Sequence, residues 1–240
     1  MRLRRVIKFF EEGNVSICGL KGRGKDMLMA NVVVRRKLPY ISNMDYGGEH
    51  YDLDFKLLDL GGNTYKDFLN STVKHYRYPY PDKTDIYISD AGVYFPAQYC
   101  NELNRDYKNL PAFAALSRHI GNCAVHTNSQ ALSRVWDKWR EQSDTYILCR
   151  RCFYVCGLVL QRITIYDKYQ SALDRQQPLR IPLPVFANKE MKLNRKIQLA
   201  QFEAAHGSIK SAWLIYRNRS NYDTRRFKTI LEEGVKNEKA

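Results

Sequence analysis

The sequence is short of acidic residues. Its 25 aspartates and glutamates stand against 39 lysines and arginines, a net charge of +14 over 240 residues. Such an excess favours a polyanionic partner, nucleic acid or an anionic membrane surface; a basic protein kept soluble by its charge is the plain alternative. Long apolar runs are also missing. No stretch reaches about 18 uninterrupted apolar residues, so no spanning helix is expected. The most apolar late run, Phe153 to Leu160, is short and flanked by arginines. The basic start Met1-Arg2-Leu3-Arg4-Arg5-Val6 lacks a following apolar core, so no cleaved secretory signal is expected. The six cysteines, Cys18, Cys100, Cys123, Cys149, Cys152 and Cys156, lie mostly inside apolar runs and do not form a disulfide framework. They fit a reduced, cytosolic chain. No Ser-His-Asp or Cys-His arrangement stands out among the five scattered histidines, and there is no internal repeat or low-complexity tract.

What is present is a core. Hydrophobic residues make up 44% of the chain, which argues against wholesale disorder. Asn14 to Cys18 reads as a short buried strand and Asp26 to Arg36 as a helix too apolar for the surface. Pro39 to Asn43 and Thr84 to Asp90 read as further strands, with a short helix around Lys66 to Leu69 between them. Gln98 to Ile120 reads as largely helical, interrupted near Pro111. Cys123 to Thr127 is a fourth strand, and Tyr146 to Leu148 and Phe153 to Tyr166 are strand-like runs rich in β-branched and aromatic residues. Strands alternating with helices predict an α/β fold with a mainly parallel central sheet flanked by helices. The pattern loosens after Asp167. Gln176 to Pro184, with three prolines, reads as a linker or surface crossing, Leu193 to His206 as a helix ended by Gly207, and Tyr216 to Ala240 as a charged helical tail. The expected division is a core over residues 1–167 and a basic, helical or irregular appendage over 168–240.

The sharpest motif is Gly19-Leu20-Lys21-Gly22-Arg23-Gly24-Lys25, which has the spacing G-x-x-x-x-G-K between an apolar strand and a helix. Glycines let the backbone curl so that several N–H groups face one phosphate. The helix presents its positive end to the same anion, and Lys25 reaches the outer phosphates. The next position departs from the pattern. A magnesium-binding Ser or Thr is expected there, and the residue is Asp26. An acid favoured by the helix dipole is its structural alternative.

Enzymes with this loop place an acid at the end of another strand. Thr84 to Asp90 ends in Ser89-Asp90, and two registers are open. In one, Asp90 is the magnesium carboxylate and Ala91 replaces a catalytic Glu. In the other, preferred here, Ser89 takes the magnesium position and Asp90 the place of the catalytic acid. A carboxylate on the loop and a hydroxyl on the strand then exchange the usual ligands between elements. After the fourth strand, Thr127-Asn128-Ser129-Gln130 forms a polar cluster at the ligand edge expected of such a sheet. Gln130 is a candidate to sense the terminal phosphate or orient water. Arg118, Arg134 and Arg140 flank the strand as candidates to stabilise transferred phosphate from a neighbouring subunit, or to track a DNA backbone.

The order of these motifs, Gly19 to Lys25, then Ser89-Asp90-Ala91-Gly92-Val93-Tyr94-Phe95-Pro96, then Leu116-Ser117-Arg118-His119 leading into Val125 to Gln130, resembles the zonular occludens toxin family. These are assembly ATPases of filamentous phages, related to the FtsK–HerA class of DNA-pumping ATPases. The resemblance covers about residues 14 to 150. Phe95-Pro96 matches the family's aromatic-Pro pair and puts Asp90 on the family's Glu and Ser89 on its Asp. Arg118-His119 and Gln130 match as well. Asp26 and Ser89 depart from the family's metal ligands, and the spanning helix of many phage members is not visible, so membrane anchoring is not carried over. The resemblance implies an ATPase using ATP and magnesium. It would act on DNA, expected single-stranded, as a homo-oligomeric ring whose arginines (Arg118, Arg140) complete the neighbour's site. Capsid or other assembly proteins are possible partners, and the expected location is the host cytoplasm, peripheral to membrane or virion. A non-hydrolysing nucleotide- or nucleic-acid-binding assembly protein is the competing reading.

Two other features have bland and sharp readings. Cys149-Arg150-Arg151-Cys152-Phe153-Tyr154-Val155-Cys156 contains the spacing of half a zinc site, but no second pair follows, and the preferred reading is that Cys152 and Cys156 share a strand face and are simply buried. The segment Tyr216 to Phe227 interleaves arginines with aromatics. That pattern suits single-stranded nucleic acid, while a charged surface helix or subunit contact is the plainer expectation.

Overall fold

The computed structural model describes residues 1–58, 78–99, 101, 103, 110–167, 188–206 and 210–220. The short helix expected at Lys66 to Leu69, the crossing at Gln176 to Pro184, Cys100, Gly207 and the tail beyond Ser220 lie outside these residues. The strands are β1 (Val15–Cys18), β2 (Tyr40–Ser42), β3 (His50–Asp52), β4 (Asp85–Ile88), β5 (Val125–Ser129), β6 (Thr145–Val155), β7 (Leu158–Tyr166) and β8 (Lys210–Arg217). They form one sheet in the order β3-β2-β4-β5-β1-β6-β7-β8. The first six run parallel, while β6, β7 and β8 pair antiparallel. The strand ending in Ser89-Asp90 is thus separated from the glycine-loop strand by β5 alone.

Helices α1 (Leu3–Glu12) and α2 (Lys25–Arg36) cover one face of this sheet. Val6, Phe10, Leu28, Met29 and Val32 pack there against Ile17, Ile147 and Ile163. The other face is covered by α5 (Leu110–Ile120) and the segment after β5, where Phe113, Trp136 and Trp139 meet Ile41, Ile86, Ile88 and Val125. Short helices α3 (Phe55–Leu58), α4 (Ala91–Tyr94) and α6 (Asp137–Arg140) close loops, and α7 (Lys189–His206) lies between β7 and β8 in sequence. The central strands β1, β2, β4 and β5 are buried at every residue, as strands covered on both faces must be. No described helix is long and apolar enough to cross a membrane.

Several expectations change. Of the helix expected from Gln98 to Ile120, the continuous described part is α5, in which Pro111 follows the first described residue, Leu110. Residues 104–109 before it lie outside the described set. The run Phe153 to Tyr166 is two strands, because Cys156 and Gly157 adopt positive φ values of 47° and 77° and turn the chain into a hairpin. The basic start is the amphipathic helix α1, with Leu3, Val6 and Phe10 at one-turn spacing and buried. Tyr216 and Arg217 belong to a strand rather than a helical tail. That strand, β8, pairs along its full length with β7, so residues 210–217 complete the core sheet although they fall past the boundary expected at 167.

Candidate functional site

The parallel strands all end at one edge, and the candidate residues gather there. Gly19 leaves β1 and its N–H donates to the carbonyl of Ser129 at the end of β5 (3.2 Å). Leu20, Lys21, Gly22 and Arg23 form an exposed apex, closed by a bond from the Arg23 N–H to the Leu20 carbonyl (3.1 Å). Gly24 is left-handed, with φ 76°, and a Cβ placed on it would stand 2.6 Å from Cys152 Sγ. A Cβ on Gly19 would stand 2.8 Å from the Cys149 carbonyl. The loop therefore needs glycine at both places to lie against β6.

Lys25 opens α2 and is buried. Its Nζ lies 2.9 Å from Asp26 Oδ2 and 3.2 Å from Asp90 Oδ1. Burial works against its charge, but the two carboxylates outweigh it and hold Lys25 above its ordinary value. Asp90 stands just past β4 with φ 50°, a left-handed conformation that non-glycine residues adopt rarely and Asp more readily than most. Its N–H donates to Asn128 Oδ1 (2.8 Å). Ser89 beside it is buried and held by Asn43, whose side chain bonds both the Ser89 N–H (2.8 Å) and its carbonyl (3.0 Å).

Asn128, fully buried on β5, is the hub that sequence reasoning passed over. Its Nδ2 donates to Asp26 Oδ1 (3.0 Å) and contacts Ser89 Oγ (3.3 Å). The exchanged pair, a carboxylate on the loop helix and a hydroxyl after β4, therefore converges on one nitrogen. Both are hard oxygen donors of the kind that magnesium takes. The signal in the sequence was the polar run Thr127 to Gln130, in which only Gln130 was singled out.

Gln161, on β7, is the second omission. It is fully buried, and its Nε2 donates to the carbonyls of Arg23 and Gly24, both at 3.0 Å, while its Oε1 accepts from Tyr216 on β8 (3.0 Å). In a trans peptide the C=O and N–H point in opposite directions. Holding these two carbonyls on the sheet side turns the N–H groups of Gly24 and Lys25 away from it, toward the space an anion would fill. A glutamine inside a strand carries no local signal of this kind.

The remaining candidates divide. Gln130 is exposed at the end of β5, and its Oε1 accepts from Arg134 NH1 (3.3 Å). Arg134 also lies beside Gly92 and is placed at the loop edge of the sheet. Arg140 is committed elsewhere, donating to the carbonyls of Leu132 (3.3 Å) and Val135 (3.2 Å) and so bracing the turn it follows. Arg118 sits at the opposite edge, 3.7 Å from Asp144, whose carboxylate accepts from the Asn14 N–H at the start of β1. It cannot reach phosphate on its own loop. Phe95-Pro96 ties the two loops together. The Phe95 carbonyl accepts from the Trp136 N–H (2.7 Å), and Pro96 bridges to Val135. Of the cysteine cluster, Cys149 is buried and Cys152 packs under Gly24, but Cys156 is exposed in the hairpin turn instead of sharing their buried face.

A glycine loop between a central parallel strand and its helix, with an acid after a second strand separated from the first by β5 alone, decides the architecture. The fold is that of a P-loop NTPase. No family model matches the chain, and no curated protein matches it. Solved structures do. The chain is similar to the N-terminal domain of zonular occludens toxin from Neisseria meningitidis, at 11% identity over 90% of this chain and 97% of that one, with a TM-score of 0.39. It is similar to the genome packaging NTPase B204 from Sulfolobus turreted icosahedral virus 2 in complex with ATP-gammaS, at 17% identity over 66% and 93%, TM-score 0.38. A third is EssC (ATPases 2 and 3) from Geobacillus thermodenitrificans, at 14% identity over 82% of this chain and 45% of that one, TM-score 0.37.

Proposed function

We propose that this chain is an ATPase of a virus or mobile element that couples ATP hydrolysis to the packaging or translocation of DNA, or to virion assembly. The observation that carries the proposal is the convergence of Lys25, Asp26, Ser89 and Asp90 at the carboxyl edge of the sheet, around Asn128. The loop N–H groups and Lys25 bind the phosphates of ATP. Asp26 and Ser89 would hold magnesium, which neutralises charge on the phosphate oxygens. Asp90 pairs with Lys25 (3.2 Å). When the outer phosphates draw Lys25 away, the Asp90 carboxylate is released to take a proton from water attacking the terminal phosphorus. The bond to the bridging oxygen then breaks and ADP leaves with its pair of electrons. Gln130 and Arg134 stand at the same edge to contact the terminal phosphate. Arg118, at the far edge, acts in this scheme only on another subunit of a ring. The net charge of +14 supports a polyanionic partner, in this reading DNA in single-stranded form. Capsid or other assembly proteins would be further partners, in a host cytoplasm.

One observation favours the competing reading, a nucleotide-binding assembly protein without turnover. Lys25 faces two carboxylates, both of which a triphosphate must displace or bridge through a cation. Phosphate release from ATP, with and without single-stranded DNA, separates the two. The motor predicts magnesium-dependent release that DNA accelerates and that Lys25→Ala reduces at least a hundredfold. Tight ATP binding with no release would establish the assembly protein instead, and release that survived Lys25→Ala would sink both.

A further inference from the structure

The antiparallel end of the sheet leaves one face open. In strands, alternate residues share a face, and cross-strand partners share it too. The register sets Arg151, Arg162 and Trp213 in one row, Phe153, Leu160 and Ile215 in the next, and Val155, Leu158 and Arg217 in the third. The opposite face of the same strands carries Gln161, Val159, Leu214 and Tyr216, all buried. On the open face Phe153 is 50% exposed, Trp213 42% and Ile215 59%, far above what a sheet face in a core allows. The rings of Phe153 and Trp213 lie across the middle strand with centroids 6.2 Å apart and planes within 24°. None of the nine residues is acidic. Beside them the start of α1 adds Arg2, Arg4 and Arg5, which with Ile215 line an open hollow of about 710 Å³.

We propose that this open face of β6–β7–β8 is a binding platform for single-stranded nucleic acid, with bases on Phe153 and Trp213 and phosphates on the surrounding arginines. The inference deepens the reading of the protein as a DNA-directed ATPase and rests on it. Charge complementarity selects the occupant. Three arginines within the face and three at its margin, with no carboxylate among the nine, would repel a second copy of the same face and the +14 chain that carries it. A polyanion with flat rings satisfies both halves of the surface. The strands are rigid and already in place, so little order is lost when a strand lies down on them. The platform is also wired to the nucleotide loop, because Gln161 and Tyr216 sit on the reverse side of the same two strands.

The test uses the full chain and a fluorescein-labelled oligothymidylate, with anisotropy for affinity and tryptophan emission for contact. The chain has three tryptophans; Trp136 and Trp139 are buried at 0% and 3% exposure, so quenching reports Trp213. The wild-type protein is expected to bind with quenching. Phe153→Ala with Trp213→Ala should weaken binding at least tenfold, and Arg151→Ala with Arg162→Ala and Arg217→Ala should lower the slope of log affinity against log salt by roughly 2, at about 0.7 per lost phosphate contact. Unchanged ATP binding and thermal melts confirm that these exposed substitutions leave the fold intact. If the wild-type protein binds the oligonucleotide and the variants bind it equally well without quenching, the platform is refuted and the DNA-directed reading survives. If the wild-type protein binds no oligonucleotide with or without ATP, both fall together. If the variants instead have a lower solution mass than the wild-type protein and leave DNA binding untouched, the face is an interface between copies and the proposal is overturned.

Discussion

At Asp26, one carboxylate serves two neighbours. Oδ2 pairs with Lys25 and Oδ1 accepts from Asn128, so its geometry is set from both sides before any nucleotide arrives. In the proposed function this carboxylate is a magnesium ligand. Asp26→Ala is therefore expected to remove most of the magnesium dependence of ATP binding while leaving a weaker, metal-independent affinity through the loop and Lys25. Titrating ATP with and without magnesium measures this directly, and full magnesium dependence in the variant would return the ion to some other ligand. Both Asp26 and Asp90 were visible as chemistry in the sequence. Asn128 was not, because a buried amide looks like any loop amide until its partners are known, and those partners lie 102 and 39 residues away.

Among the elements, the hairpin β6–β7 together with β8 does more than extend the sheet. It places Gln161 beneath the loop, and the loop in turn can lie that low only because Gly19 and Gly24 have no Cβ. Replacing Gln161 with Leu removes both carbonyl contacts at once; the Gly24 carbonyl keeps its bond from the Leu28 N–H (2.9 Å), and the Arg23 carbonyl loses its side-chain partner, a cost of roughly 1–3 kcal/mol. The expected outcome is ATP affinity weakened by about tenfold, a larger loss than in Tyr216→Phe, which removes a single bond of about 1 kcal/mol. Calorimetric titration of ATP into both variants checks the order. Equal, wild-type affinities would make the amide a packing residue only. Further along β8, Asn31 of α2 bonds Asn218 (2.8 Å) and the Arg219 N–H (2.9 Å), so the chain leaving the sheet is fastened to the loop helix as well.

For the molecule as a whole, the edge away from the loop holds a buried charge cluster that governs its response to acid. Asp85 pairs with Arg36, accepts from the Ala124 N–H (2.8 Å) and lies 3.7 Å from His126, whose ring packs between Phe10 and Tyr87. Burial pushes Asp85 upward, but His126 and Arg36 outweigh it and the carboxyl ends below its ordinary value. Burial holds His126 below its ordinary 6.5. Both shifts have the same sign in the linkage. The unfolded chain binds the protons more readily, so stability is fully present above about pH 6.5 and is lost as pH falls, first through His126 and then, below the ordinary carboxylate value, through Asp85. Melting temperature should decline between pH 7 and 5, and His126→Phe, which keeps an aromatic ring between Phe10 and Tyr87, should flatten that decline. An unchanged slope in the variant would assign the acid sensitivity to other groups.

The sequence by itself determined what is local. Gly19 to Lys25 is contiguous, and a strand, a glycine turn and an apolar helix in that order can be read from periodicity and backbone freedom alone. The same holds for the strands β1, β2, β4 and β5 and for the candidate acids Asp26 and Asp90, but not for α1 or β3. What only the tertiary structure decided is which of these residues share an edge. Parallel pairing brings the carboxyl ends of β1, β4 and β5 together and sends the amino ends to the far side, which is why Asp90 reaches Lys25 and Arg118 does not. It also decided that β8 belongs to the core. Its pairing with β7 spans the full strand, with partners about fifty residues apart such as Gln161 and Leu214. A strand that must find so distant a partner carries no signal of that partner in its own composition, since backbone hydrogen bonds are the same for every residue and only the assembled sheet says which ones are made.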